Sequence, residues 1–305
     1  MLTIDKVYSA KNVLKKVIRK TSVIPAFDLS DTNHIYLKTE NLQRTGSFKI
    51  RGSYFKISRL TEEEKARGII ASSAGNHAQG VALAAQQEGI KCTICMPDNA
   101  PISKIEATKS YGAEVCLAQG AYDEAYALAA KMAEEKGYTF VHPYDDEDVI
   151  AGQGTIGLEI LEDLDSVDAI VVPIGGGGLI SGVAFAAKSM KPDIKIYGVQ
   201  AAGAPSMYRS FHEGKQITLD TANTFADGIA VKHPGDIPFE IVSNYVDDIF
   251  TVTEDEIAAS ILTLLEKQKV VAEGAGAVSV AAAMFNKIPL QGKNIVCIVS
   301  GGNID

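Results

Sequence analysis

Four times along the chain a short apolar run passes through a glycine-containing turn into a stretch of helical period. The segments are "GIIASSAGNHAQGVALAAQQEG", "IKCTICMPDNAPISKIEATKSYG", "AEVCLAQGAYDEAYALAAKMAEEKG" and "DAIVVPIGGGGLISGVAFAAKSM". Strand, turn and helix in that order make the βαβ unit. The apolar runs are nearly continuous Ile, Val, Cys and Ala instead of alternating with polar residues, so both faces of the sheet should be covered by helices. An α/β fold with open, mostly parallel sheets is predicted.

At 305 residues the chain exceeds the usual domain size of roughly 100 to 150 residues, and two domains are expected. No Pro- or Ser-rich linker separates two halves, which favours an insertion: residues 1–50 and 150–305 as a large domain and 51–149 as a small one. Ligands of open α/β sheets bind beyond the carboxyl ends of strands. The turns around Gly75 and around Gly175 to Gly178 would then face each other across an inter-domain cleft.

The formal net charge of -9, with no basic run, removes the electrostatic footprint of a nucleic-acid binder and leaves small molecules as the expected partners. No apolar segment is long enough to span a bilayer, and the amphipathic, charged N-terminus does not read as a signal peptide, so no membrane partner and a cytoplasmic location are expected. Of the four cysteines, Cys92 and Cys95 form a C-x-x-C inside a buried-strand pattern. Residues three apart on a strand point to opposite faces, and no second pair completes a metal set. Core thiols and no metal site are expected.

In "VVPIGGGGLISG" four glycines, Gly175, Gly176, Gly177 and Gly178, stand between a buried strand and a helix. Backbone N–H groups can converge there on an anion at the helix N-terminus, and a phosphate is the natural guest. The dinucleotide and P-loop spacings both fail, at Ser181 and Val183 respectively. A tight turn alone would need only one or two of these glycines. In "SSAGNHAQG", Ser72, Ser73, Ala74, Gly75, Asn76 and His77 suit a cradle for a carboxylate, with an Asx turn and helix cap as the plain structural alternative. Ser300 in "VSGGNID" ends another apolar run, where its hydroxyl can enter a cleft or simply belong to a turn.

Lys49 in "RTGSFKIRG" sits between Phe48 and Ile50. Burial disfavours an ammonium, and a neutral amine is the form that attacks a carbonyl to make a Schiff base. The alternative is a lysine that snorkels from a helix beginning at Ser47.

Taken together, "SFKIRG", "SAGNHAQG", "GGGGLISG" and "SGGN" appear in the order and context of the fold-type II pyridoxal phosphate enzymes. The chain resembles their threonine dehydratase and serine racemase group from near the N-terminus to Asp305, and within it the catabolic threonine dehydratases most. The resemblance implies a tryptophan synthase β-like architecture with pyridoxal 5'-phosphate in the inter-domain cleft. By the same resemblance Lys49 carries the cofactor covalently and later acts as general base, with Phe48 beside the ring. Asn76 is implied to hydrogen-bond the ring hydroxyl oxygen, Gly175 to Gly178 with Leu179 the phosphate, and Ser300 the pyridine nitrogen. The segment Ser72 to His77 would hold the substrate carboxylate. A neutral serine at the nitrogen leaves the ring a weaker electron sink than a carboxylate partner would, which suits loss of a β-substituent.

The expected reaction is dehydration and deamination of L-threonine to 2-oxobutanoate and ammonia, with L-serine to pyruvate as a side activity. The alternative within the group is serine racemase. Those racemases carry a serine before G-N-H where this chain has Ala74, and acidic cation ligands where Ala204 and Ser210 stand here. A monovalent cation, a homodimer or homotetramer, and no C-terminal regulatory domain are further expectations from the resemblance. A binding protein for a phosphorylated ligand would explain the glycines but not Lys49.

Overall fold

The computed structural model describes residues 1–304, which form two sheets flanked by helices. The strands are β1 (Val23–Pro25), β2 (His34–Thr39), β3 (Ile69–Ser72), β4 (Cys92–Pro97), β5 (Glu114–Ala118), β6 (Thr139–Phe140), β7 (Ala169–Pro173), β8 (Lys195–Ala201), β9 (Asp248–Val252) and β10 (Asn294–Val299). A four-stranded sheet has the order β5-β4-β3-β6 and is parallel throughout. A six-stranded sheet has the order β1-β2-β10-β7-β8-β9, parallel except where the short β1 runs against β2.

Three of the four near-continuous apolar runs are inner strands, as a sheet covered on both faces requires, whereas the run containing Glu114–Ala118 is the edge strand β5, with Glu114 and Leu117 exposed. Every residue of β3, β4 and β7 is buried. Within β4 the period of two is visible in the packing. Cys92, Ile94 and Met96 join one apolar cluster with the helix Asn76–Glu88, while Cys95 joins another against Ala129 of the helix Tyr122–Lys136. The C-x-x-C thiols therefore face opposite sides of the sheet.

Two connections run between the sheets. The helix Lys49–Ser58 follows β2 and leads toward β3, and the helix Glu147–Asp163 leads from β6 back to β7. A fully buried ionic cluster fastens them to each other and to β2. The Arg51 guanidinium meets Glu40 through Nε and Nη2, each at 2.8 Å, and Glu159 through Nη1 at 2.7 Å. Lys38 reaches the other oxygen of Glu159 at 2.7 Å. Two cations and two carboxylates neutralise one another in the interior, an arrangement suited to the planar guanidinium fork.

The first of these helices starts at Lys49, two residues later than the Ser47 start expected of a snorkelling lysine. Ser47 instead forms an isolated antiparallel bridge with Gly301, and the Phe48 N–H donates to the Ser300 carbonyl at 3.1 Å. This long-range pairing withdraws Ser47 and Phe48 from the helix and puts Lys49 in its first turn.

Candidate active site

Three strand ends converge on one cavity of about 610 Å³: Ser72 at the end of β3, the glycine turn after β7 and Ser300 after β10. Phe48 and Lys49 enter from the helix start, and the segments from Ser72 to His77 and from Gly175 to Leu179 line the wall. All the residues selected from the sequence as site residues thus share one space, reached from both sheets.

Lys49 donates from Nζ to the Pro143 carbonyl at 2.8 Å, and its Nζ lies 5.3 Å from the Phe48 ring centre. Burial pushes its pKa down to about 8, against the opposing pull of the Glu273 carboxylate. Its position in the first turn of a helix, the positive end of the dipole, disfavours an ammonium as well. A neutral amine is therefore accessible close to physiological pH.

The glycine turn leads into the helix Gly178–Met190, whose N-cap Gly177 has φ +102° and no side chain to cap the helix. The unpaired N–H groups of its first turn border the cavity instead of being closed by a serine or aspartate. At Gly176 a Cβ would lie 2.4 Å from the Tyr144 ring. Two of the four glycines thus have distinct reasons, a left-handed backbone and a stacked aromatic ring.

On the facing wall, Ser73 Oγ accepts from the Gly75 N–H at 3.1 Å, so the turn expected as the plain alternative is present in part. Ser72 Oγ and His77 Nδ1 are buried and have no partner. Burial first, and then the Lys49 charge, depress the His77 pKa to about 3, so the ring is neutral. Its Nε2 lies 2.9 Å from the Val141 carbonyl and must carry the proton there. Nδ1 is then a bare acceptor, which suits a hydroxyl or ammonium better than a carboxylate. The donors for an anion on this wall are the serine hydroxyls and backbone N–H groups.

Asn76 is more constrained than its sequence context suggests. Its Nδ2 donates to Glu273 Oε1 at 2.7 Å, and its Oδ1 accepts from Asn303 Nδ2 at 2.7 Å, leaving one Nδ2 proton uncommitted. Ser300 is buried, and its hydroxyl makes only a long 3.4 Å contact with the Ala275 carbonyl, so it retains hydrogen-bonding capacity.

Glu273 and Tyr144 line the same cavity and were not selected from the sequence. Burial pushes the Glu273 carboxyl up to about 7, while the hydrogen bond from Asn76 opposes the shift. The available signal was a single acid at the head of "EGAGAVSVAAAM", an otherwise apolar helix of small residues.

The family described as pyridoxal-phosphate dependent enzymes matches residues 14–301. The chain belongs to this family. An L-threonine ammonia-lyase of Thermotoga maritima is 55% identical over 307 residues, covering 100% of the chain and 76% of that relative. Among solved structures, maize serine racemase superposes with a TM-score of 0.96 at 36% identity, covering 100% of the chain and 94% of the racemase. The processed form of threonine deaminase isoform 2 from Solanum lycopersicum has a TM-score of 0.92 at 40% identity, covering 99% of the chain and 90% of that structure.

The cavity of this pyridoxal-phosphate dependent enzyme fits the cofactor on its own chemistry. An uncapped helix N-terminus suits the phosphate, a low-pKa lysine suits the aldehyde, and the Phe48 ring and Ser300 hydroxyl suit an aromatic heterocycle. Among the described residues no group of three or more His, Cys, Asp or Glu side chains gathers around a possible metal position. Ser210 is held internally, donating to the Ser206 carbonyl and accepting from the Ile217 N–H.

Proposed function

We propose that this pyridoxal-phosphate dependent enzyme is a threonine ammonia-lyase that converts L-threonine to 2-oxobutanoate and ammonia, with L-serine to pyruvate as a side activity. The observation that carries this reading is the 55% identity, over the whole chain, to a relative named for that reaction. The bound cofactor supplies the electron sink for the substrate's α-carbon.

The chain's own residues divide the remaining work. Lys49 would hold the cofactor through Nζ, and the same amine would accept the substrate's α-proton as general base. N–H groups at the start of the helix Gly178–Met190 would hold the phosphate, aided by the helix dipole. The Ser72 and Ser73 hydroxyls and the N–H groups of the turn hold the substrate carboxylate. The uncommitted Asn76 proton would be available to the cofactor's ring hydroxyl, and the Ser300 hydroxyl would serve as a neutral partner for the ring nitrogen.

Serine racemisation is the second reading, favoured by the superposition on the maize enzyme. Racemisation needs an acid on the substrate face opposite Lys49, and Ala74, which lines the cavity wall before Gly75, has a methyl group and no proton to give. Incubating the holoenzyme with L-threonine and with L-serine, and measuring 2-oxo acid and D-isomer separately, distinguishes the two. Rapid 2-oxobutanoate without D-serine is expected, and Lys49→Ala should abolish it. D-serine as the main product would overturn the assignment.

The same reading takes residues 51–149 as a smaller domain inserted between residues 1–50 and 150–305, supported by a four-stranded sheet that lies wholly within Ile69–Phe140. It takes the enzyme as a cytoplasmic homodimer or homotetramer. Leu262, Leu265 and Val271, exposed at 53, 50 and 45% on one short stretch, support a subunit contact that sedimentation would test. No helix among the described residues is long and apolar enough to cross a membrane.

A further inference from the structure

Asn303, in the turn that follows Ser300, bonds to three separate parts of the active site's frame. Its Nδ2 donates to the Thr45 carbonyl at 2.8 Å and to Asn76 Oδ1 at 2.7 Å. Its backbone N–H donates to the Glu273 carboxylate, which also accepts from Asn76 Nδ2 at 2.7 Å. Gly46 makes this approach possible: it has φ +71°, and a Cβ there would collide with Asn303 Oδ1. The Gly302 N–H donates to the Gly46 carbonyl at 2.9 Å, so the same approach is fixed from the backbone.

These bonds decide which way two amides point. A backbone carbonyl can only accept, so the nitrogen of the Asn303 amide must face Thr45, and its second proton is then aimed at Asn76. Only the Asn76 oxygen can meet a donor there. Asn76 Nδ2 is thereby turned to Glu273, and its remaining proton is left for the cavity that Asn76 lines. Without the Asn303 donor the opposite orientation opens. The Glu273 carboxyl, pushed up to about 7 by burial, can carry a proton and donate it to the Asn76 oxygen. The amide then offers the cavity a lone pair instead of an N–H.

We infer that Asn303 is a positioning residue for the cofactor, locking the Asn76 amide so that it presents a proton and not a lone pair to the ring hydroxyl oxygen. A donor at that oxygen favours its ionised form, whereas a lone pair favours the protonated one. The contacts of Asn303 also draw together the segment four residues before Lys49, the turn after β3 and the head of the helix Gly274–Met284. The inference rests on the reading that Asn76 serves the ring oxygen, and not on which amino acid the enzyme deaminates.

Asn303→Leu keeps the shape of the side chain and removes the donor. The full-length variant should bind pyridoxal phosphate about tenfold more weakly than the parent, the effect of one lost hydrogen bond at a charged group. The bound cofactor's visible absorbance band should also give way to its near-ultraviolet band, a change that loosening of the fold alone does not make. Asn76→Ala should weaken the cofactor to a similar extent, and Asn303→Leu added to Asn76→Ala should cost nothing further. Asn303→Ala is expected to behave as Asn303→Leu does, and it carries the comparison if the leucine variant does not fold. Parental affinity and spectrum in the Asn303 variants would overturn the proposal, as would losses that multiply in the double variant. A loss confined to Asn76→Ala would overturn this inference alone, whereas full cofactor retention by Asn76→Ala would overturn the role of Asn76 together with it.

Discussion

Asn76 Nδ2 donates to Glu273 Oε1 at 2.7 Å, across 197 positions of sequence. The bond joins the turn after β3 of the smaller sheet to the head of the helix Gly274–Met284, which covers the larger one. It also fixes a carboxyl group whose pKa burial raises to about 7, within the electrostatic reach of Lys49.

Glu273→Gln should therefore change how Lys49 ionises. The Glu273 carboxylate raises the Lys49 pKa against the burial that lowers it, so a neutral amide lets the pKa fall further below about 8. Uptake of pyridoxal phosphate by the cofactor-free protein requires the neutral amine and should reach its half-maximal rate at a lower pH in the variant. Coincident pH profiles for variant and parent would rule out the coupling.

Lys49→Met should stabilise the cofactor-free fold, in a pH-dependent way. The folded pKa of about 8 lies below the unfolded value of 10.5, so the unfolded chain binds the extra proton between those limits. Stability of the parent therefore rises with pH across that window, whereas the methionine variant has no such gain. Urea unfolding at pH 7 and at pH 10 should show a larger advantage for the variant at pH 7.

Gly176→Ala places a methyl group where the Tyr144 ring lies, 2.4 Å from its nearest carbon. Cofactor affinity should fall at least tenfold, read from the absorbance retained after dialysis. If the ring is the obstacle, Gly176→Ala combined with Tyr144→Ala retains more cofactor than Gly176→Ala alone. A double variant no better than the single one would place the obstacle in the backbone.

Arg51→Met leaves Glu40 and Glu159 buried without their guanidinium. Removing one partner of a buried ionic cluster costs about 3–5 kcal/mol, and the midpoint of urea unfolding should drop accordingly. Arg51→Lys should recover only part of the loss, because one ammonium cannot engage both carboxylates through a planar fork. Full recovery by lysine would mean that charge alone matters at this position.

Much of this was readable along the chain. Lys49, the glycine turn and Ser300 each sit where a strand or helix begins or ends, and chain order alone marks such places. The burial of β4 and the opposed thiols of Cys92 and Cys95 followed from a period of two. Strand order did not follow: β10 lies between β2 and β7, and nothing local to "NIVCIV" specifies those neighbours. Glu273 and Tyr144 escaped for the same reason, since a lone acid before small residues and a tyrosine in an acidic loop gain their roles only from what packs against them. The start of the helix at Lys49 is likewise set by Gly301, far along the chain, against a local pattern that fitted Ser47.

The bridge between Ser47 and Gly301 bears on the order of folding. A β-bridge between segments so distant closes a loop of most of the chain, and such closures are entropically costly until the intervening structure has condensed. The smaller sheet can nucleate from neighbouring βαβ units, whereas the β2–β10 pairing of the larger sheet and this bridge close nearly the whole chain together, and the pocket is completed with them. Aldehyde-binding capacity should then emerge last during refolding, after helical circular dichroism has recovered, so the cofactor reports completion of the molecule instead of templating it.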